Sequence, residues 1–213
     1  MRRRLATAAL LALWTLLVLY PNPLLLARSI TQSWTPVIDP AAVRALAATL
    51  PDDPAAIEQA VLTRIVPYAV PWDVYGVPWY YPTPAEVLAA GRSDCEGRAV
   101  VLASLLAAKG IPFSFSASFD HIWIDYPGKH PNASENPAVA LAQKAPTATY
   151  WLHWPQEWDL RHSWDVESAY FLAPMPGWRW AILIAGWVAI VLVRRALQRR
   201  KAAANQAILA PLG

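Results

Sequence analysis

Two strongly apolar, uncharged runs stand near opposite ends of this 213-residue chain, each beside a block of arginine. Residues 5–20 follow Arg2, Arg3 and Arg4 and continue through Pro21-Asn22-Pro23 into Leu24–Ala27, an apolar stretch of 23 residues kinked near the prolines. At about 1.5 Å per residue, such a helix crosses a ~30 Å hydrocarbon layer. Residues 181–193 are equally free of charge; Trp178-Arg179-Trp180 precede them and Arg194-Arg195 follow. With the Trp pair at the interface and Arg179 snorkelling, this run also reaches spanning length. A basic start and an apolar run also describe a signal peptide, but no small-x-small cleavage site precedes Arg28, so an uncleaved anchor is expected.

The charge follows the same plan. The net +3 and the pI near 9.1 point toward nucleic acid only until the charges are located. All 15 acidic residues lie between the two basic blocks, and residues 28–176 carry 9 basic against 15 acidic side chains, a net of −6. The basic ends therefore read as topology signals, and a nucleic-acid partner is excluded. The positive-inside rule puts both ends in the cytoplasm and the acidic middle outside it. The expected organisation is an anchor over residues 1–27, an extracytoplasmic domain over 28–176, a second membrane helix over 177–197 and a cytoplasmic tail over 198–213. The membrane is then the cell (inner or plasma) membrane. With 56% hydrophobic residues and 12 Trp, the chain is not disordered and can bury a core.

Within the middle segment, Asp39-Pro40 and Asp53-Pro54 each open a short helical pattern with Pro at the first helical position. Residues 67–84 are so rich in proline and aromatics that they read as a packed loop without a regular element. Thr83-Pro84 begins a short helix that ends at Gly91. Ser93, with Glu96 three residues on, reads as a capping box that opens a strongly apolar helix stopping at Lys109-Gly110. Phe113–Phe119 and His121–Tyr126 have the alternation of strands. The run NPAVALAQK, residues 136–144, reads as a helical turn or two, TATYWLHW as a further strand, and residues 155–174 give no clear signal.

The chain has one cysteine. In a compartment that permits disulfides it has no partner within the chain, so Cys95 is buried, paired between chains or chemically employed. It sits in the first turn of a helix, where unpaired N–H groups favour a thiolate, while Asp94 and Glu96 oppose it. A nearby base is therefore needed, and His121 on a following strand supplies one.

The run PTPAEVLAAGRSDCEGRAVVLASLLAAKGIPFSFSASFDHIWIDYPGK resembles the core of the transglutaminase-like superfamily: a Gly-x-Ser-Asp-Cys turn, a helix, Gly-Ile-Pro, a strand, then His-x-Trp. The resemblance extends from Val43 to about Pro137. It implies a papain-like α+β fold, helices packed on a small antiparallel sheet, and Cys-His-Asp acyl-transfer chemistry with Cys95 as nucleophile and His121 as base. Where the family carries an Asp, this chain has Asn136-Pro137. Asp125 lies on the same strand face as His121 but about 13 Å away at ~3.3 Å per residue, too far for a direct hydrogen bond. Asn136 accepts from an imidazole through its amide oxygen, and Glu135 is the charged rival one residue away.

His130, His153 and His162 read as structural, since no pair has zinc-site spacing. The aromatic loop Trp72, Tyr75, Trp79, Tyr80, Tyr81 reads first as packing; Trp79 or Trp72 matches the tryptophan that some family members place near the oxyanion. Asn132-Ala133-Ser134 fits a glycosylation acceptor pattern. The resulting expectation is a membrane-anchored thiol enzyme that hydrolyses peptide amides or crosslinks proteins, needs no metal or organic cofactor, and meets peptide or protein substrates, lipid and other membrane proteins. The competing expectations are a catalytically inactive scaffold that binds peptides or partner proteins, and a redox sensor paired through Cys95.

Overall fold

The computed structural model describes residues 2–118, 121–130, 135, 140–144, 151–152 and 160–209. It has two compact units, residues 1–23 with 175–213, and residues 24–174.

The first unit is a pair of helices, α1 (Arg2–Leu19) and α9 (Gly177–Leu209). Trp14 Nε1 donates to the Ile182 and Leu183 carbonyls at 3.3 Å, Trp187 Nε1 to Thr15 Oγ1 at 3.0 Å, and Arg194 Nε to Thr7 Oγ1 at 3.3 Å. Early residues of one helix meet late residues of the other, so the two run antiparallel and their basic ends lie together. Gly186 permits the approach: a Cβ there would stand 2.0 Å from Trp14 Nε1. Leu10, Leu13, Leu17, Ile184, Val188 and Leu192 remain exposed, which is the surface of helices apolar on all sides.

Residues 177–201 form a helix long and apolar enough to cross a membrane. The first apolar run departs from the single kinked span read from sequence: it breaks at residues 20–22 into α1 and α2 (Pro23–Trp34), a bent pair. Pro21 and Pro23 explain the break, because neither offers an N–H to a continuing helix. Residues 24–27 belong with the second unit, not with the first.

The second unit is α+β and is built around α7 (Cys95–Ala108), whose residues from Ala99 to Leu106 are all buried. A helix apolar on every face must be enclosed, and α3 (Arg44–Ala47), α4 (Pro54–Ala60), α6 (Pro84–Ala90) and a sheet enclose this one. Its one buried hydroxyl inside that stretch is satisfied: Ser104 Oγ donates to the Val100 carbonyl at 2.7 Å and accepts from Asp39 N at 3.0 Å.

Asp53 caps α4 through Ala56 N at 3.0 Å, with Pro54 in the first turn as expected. That helix widens into a π-helical turn, Val61–Ile65. The full capping box belongs to α6: Thr83 Oγ1 accepts from Glu86 N, and Glu86 Oε2 accepts from Thr83 N at 2.8 Å. Burial works against the Glu86 carboxylate, but the Thr83 N–H and the Arg28 guanidinium outweigh it and hold its pKa below the usual value. The proline-rich loop is well packed, with Trp72, Val77, Tyr80 and Tyr81 buried. It also contains a short regular element that the sequence reading omits, α5 (Pro71–Tyr75), which Gly76 ends at φ +68°. A second omitted element is α8 (Leu160–Glu167), continued by a π-helical turn over Ser168–Leu172.

The sheet has the order β2-β1-β3-β4, all neighbours antiparallel. β1 (Ser114–Ala117) and β2 (Ile122–Asp125) lie within the two predicted strands and pair as an antiparallel hairpin, Ser116 opposite Trp123. β3 (Ala142–Lys144) occupies residues read as helical, and β4 is Trp151–Leu152. The helical reading failed there because Ala-Gln-Lys favours a helix on propensity, whereas pairing with Phe115–Ala117 satisfies the open edge of β1.

Beyond β2, Lys129 is nearly inaccessible. Its ammonium contacts Glu58 and Glu135, each at 2.8 Å, and the Ile124 carbonyl at 2.6 Å; Tyr126 donates to Glu58 at 2.6 Å. Removing the cation would leave two carboxylates close together with no positive charge between them. A Lys129→Met variant is expected to lose about 3–5 kcal/mol and to lower the Tm of the full chain by roughly 10 °C. Adding Glu58→Gln and Glu135→Gln restores most of it, which a thermal melt of the three proteins would check.

Candidate active site

The turn before α7 is held from three sides. Ser93 forms a parallel bridge with Tyr68: Ser93 N donates to the Pro67 carbonyl at 3.2 Å, and Ala69 N to the Ser93 carbonyl at 3.0 Å. Ser93 Oγ lies 3.1 Å from Tyr75 OH and donates to Asp94 Oδ1 at 3.2 Å. The N-cap is Asp94, which accepts from Gly97 N at 3.2 Å, and not Ser93 as the sequence spacing implied. Burial takes Ser93 out of the capping role and gives its hydroxyl to the tyrosine and the aspartate. Only glycine fits at 97, where a Cβ would stand 2.1 Å from Ser93 Oγ and 2.9 Å from Val87.

Cys95 is thereby the first residue of α7, a half-buried residue with no disulfide. Sγ donates to Glu96 Oε2 at 3.1 Å, and the other oxygen of that carboxylate accepts from Trp79 Nε1 at 2.8 Å. The Ile122 backbone N–H lies close enough to Sγ to favour the thiolate. The register explains the last contact. Ser118 N donates to the His121 carbonyl at 2.8 Å, so the hydrogen-bonded pairs of the hairpin alternate from there, and Ile122 directs its N–H out of the edge of β2. The thiol thus meets the free edge of the sheet one residue from His121.

Burial first, then the charges of Glu96 and Asp94, push the Cys95 thiol well above its ordinary pKa, and the Ile122 N–H only partly offsets this. Asp94 is itself raised, by burial and then by Glu96, against hydrogen bonds from Gly97 and Ser93 that favour its charged form. The helix-end field acts on the thiol in the opposite sense. Arg98 borders the same region: its guanidinium donates to the Val66 and Leu62 carbonyls at 3.0 and 3.1 Å, closing the π-helical turn, lies 5.0 Å over the Tyr68 ring, and is within the electrostatic reach of Cys95 and Asp94. The Tyr68 phenol is raised by burial and then by the charge of a Cys95 thiolate. Tyr170 stands edge-on to Tyr68 at 5.6 Å, and Trp72 Nε1 donates to the Phe171 carbonyl at 2.7 Å, so the turn after α8 borders the same region.

His121 opens β2. Its N–H donates to Ser118 Oγ at 3.1 Å, and its ring stacks on Trp123 with centroids 5.9 Å apart. Asp125 is engaged by Trp123 Nε1 at 3.1 Å and by Ser116 Oγ. Glu135 is ion-paired with Lys129. Asn136 lies outside the described residues, as do Asn132, Ser134 and His153. Of the two tryptophans singled out by sequence, Trp79 reaches the acid beside the thiol and Trp72 does not. Tyr68 and Tyr170 carried no signal of their own, being tyrosines in aromatic-rich or unassigned segments.

No family model, curated protein or solved structure matches this chain.

The arrangement sets the direction of two effects. Alkylation of Cys95 in the folded protein should have a pH midpoint above the ~8.5 of a free thiol, and Glu96→Gln, which removes the nearest charge, should lower it. An unmoved midpoint would mean that Glu96 does not face the thiol. Gly97→Ala should cost about 1–3 kcal/mol in an unfolding titration, through overpacking against Ser93.

Proposed function

We propose that this chain is a membrane-anchored, transglutaminase-like thiol enzyme that transfers acyl groups through Cys95. Amide hydrolysis is the first outcome and protein crosslinking the second. The observation that carries the reading is the packing of α7, which begins at Cys95, against β2, with the Ile122 N–H, next to His121, placed to favour the thiolate. A helix packed on an antiparallel sheet and the order Gly-x-Ser-Asp-Cys, Gly-Ile-Pro, His-x-Trp support the family resemblance.

In the proposed reaction the resting group is the thiol. His121 takes its proton as sulfur bonds to the carbonyl carbon of a peptide amide, and the Cys95 backbone N–H, which has no acceptor within the helix, stabilises the developing oxyanion. The imidazolium then protonates the leaving amine as the C–N bond breaks. Water or an amine, deprotonated by His121, releases the acyl group. Asn136 or Glu135 holds the imidazole tautomer. The chemistry calls for no metal or organic cofactor.

The anchoring half of the proposal rests on the apolar surface of the α1–α9 pair and on the antiparallel order that brings both basic blocks to one end. Both termini then lie in the cytoplasm and residues 24–174 outside it, in the cell membrane, with peptide, protein and lipid as partners.

A specific observation favours a second reading, an inactive scaffold that binds peptides or partner proteins: the thiol sits among Asp94 and Glu96 with its pKa raised. Reaction with a peptide vinyl sulfone near neutral pH separates the two. For an enzyme, His121→Ala slows labelling at least ~10-fold, whereas for a scaffold it changes nothing. Asn136→Ala and Glu135→Ala, made separately, identify the orienting residue by the slower of the two rates; equal and small effects would mean that neither holds the imidazole. Reporter fusions at the two termini are expected to report the cytoplasm for both, and a C-terminus found outside refutes the topology.

A further inference from the structure

The helix α2 is built inside out for a helix at a protein surface. Three of its polar side chains face the domain: Ser29 and Gln32 are buried, Ser29 Oγ accepts from Tyr81 N at 3.1 Å, and Arg28 makes a bidentate pair with Glu86 at 2.8 Å while its guanidinium lies 5.6 Å over the Tyr80 ring. Its opposite face is apolar and open, with Leu24 at 72%, Ile30 at 48% and Trp34 at 59% exposure, and with Ala27 between them. At about 100° per residue these four fall within roughly a 120° arc, on the side away from Ser29 and Gln32. A helix facing water has the reverse arrangement.

We infer that α2 is an in-plane membrane helix, its Leu24, Ala27, Ile30 and Trp34 face set in the headgroup–acyl boundary of a lipid bilayer, so that the domain of residues 24–174 is seated on that surface. The inference rests on the membrane-anchored reading above and adds to it a second, peripheral contact.

Three observations select lipid as the occupant. The first is chain continuity. Pro23 follows Leu19 by four residues, and Leu17 of α1 is as openly apolar as Ile30. At no more than about 3.5 Å per residue, Leu24 is tethered within ~25 Å of Leu17, so whatever solvent covers α1 is within reach of α2. The second is the absence of charge on the outward face. The helix holds one charged residue, Arg28, and that one is ion-paired toward the domain. The one polar side chain within the outward arc, Thr31, turns its hydroxyl back to the Ala27 carbonyl at 3.0 Å, so it enters an apolar medium without an unpaired donor. The third is Trp34 at the end of the helix, a side chain that prefers the interfacial zone. An interfacial helix ordinarily keeps a charged face toward water, and here the folded domain takes the place of that water.

The seat is rigidly joined to the candidate site. Glu86, the partner of Arg28, belongs to α6, which ends at Gly91, four residues before Cys95. Acyl donors displayed at the membrane surface are therefore the substrates that this placement favours.

Single cysteines in a Cys95→Ser background of the full chain, labelled with bimane and reconstituted in phosphatidylcholine vesicles containing some phosphatidylglycerol, test the inference. Ile30→Cys and, independently, Ala27→Cys report on the face, Val188→Cys on the α9 anchor, and Thr63→Cys on an exposed site elsewhere in the domain. Lipids spin-labelled near the carbonyl are expected to quench the Ile30 and Ala27 labels about two-fold or more and to leave Thr63 unaffected, with Val188 quenched by lipids labelled deep in the chain. Unquenched labels at 27 and 30 beside a quenched Val188 would overturn the in-plane helix and leave the anchor standing. An unquenched Val188 would overturn the anchor and this inference with it. Labels at 27 and 30 that are shielded only as protein concentration rises would assign the face to a second copy and overturn the lipid contact.

Discussion

The enclosure of α7 is the constraint on which the rest of the domain depends. A fourteen-residue helix with an apolar surface on every side is stable only inside a shell, and α3, α4, α6 and the β-hairpin supply that shell. Enclosure then creates a problem at the helix start, where unpaired N–H groups and a field of positive sign are drawn into the interior. The chain answers with Asp94 as a buried cap, with Ser93 and Tyr75 behind it, and with a glycine at 97 because no side chain fits beneath Ser93. Cys95 is the next residue on the helix, so the position of the thiol is a consequence of how a buried helix is begun.

The same enclosure sets the chemistry. Two carboxylates flank the thiol, one of them buried, and desolvation raises the cost of every negative charge in the region. The thiol therefore rests protonated on Glu96, and a nucleophile forms only when a base accepts that proton. Trp79 fixes Glu96 from the far side and thereby fixes where the thiol hydrogen points. Lys129 solves the corresponding problem at the far end of β2 in the opposite way, with a buried cation between two acids.

Much of the framework was legible in the sequence, because its signals are local. Thr83-Pro84 with Glu86, Asp53-Pro54, Lys109-Gly110 and the alternation of the hairpin are short-range rules of capping and pleating, and each produced its element. The misses were cases in which a distant contact overrode a local preference. Ser93 has the spacing of a cap, yet burial gave that role to Asp94. Residues 142–144 have helical propensity, yet the edge of β1 took them as a strand. Pro71–Tyr75 and Leu160–Glu167 are helices of five and eight residues, too short for periodicity to mark them. The apolar residues after Pro23 looked like the continuation of a span, and only the hydrogen bonds of Arg28 and Ser29 reveal that α2 belongs to the domain.

What the sequence determined alone was the set of parts: an apolar helix that must be buried, a cysteine at its start, a histidine at the start of a strand, and basic ends beside apolar runs. These follow from residue type and spacing, which act over one or two turns of chain. The tertiary structure alone decided which groups face the thiol. Glu96 bonds the thiol through its rotamer, and the Ile122 N–H and the Tyr68 phenol come within its electrostatic reach by strand register and a loop crossing, which are fixed by packing among segments far apart in the chain. Whether the polar face of α2 points inward or outward was also a tertiary decision, since a helical repeat gives two faces but does not say which of them the domain will cover.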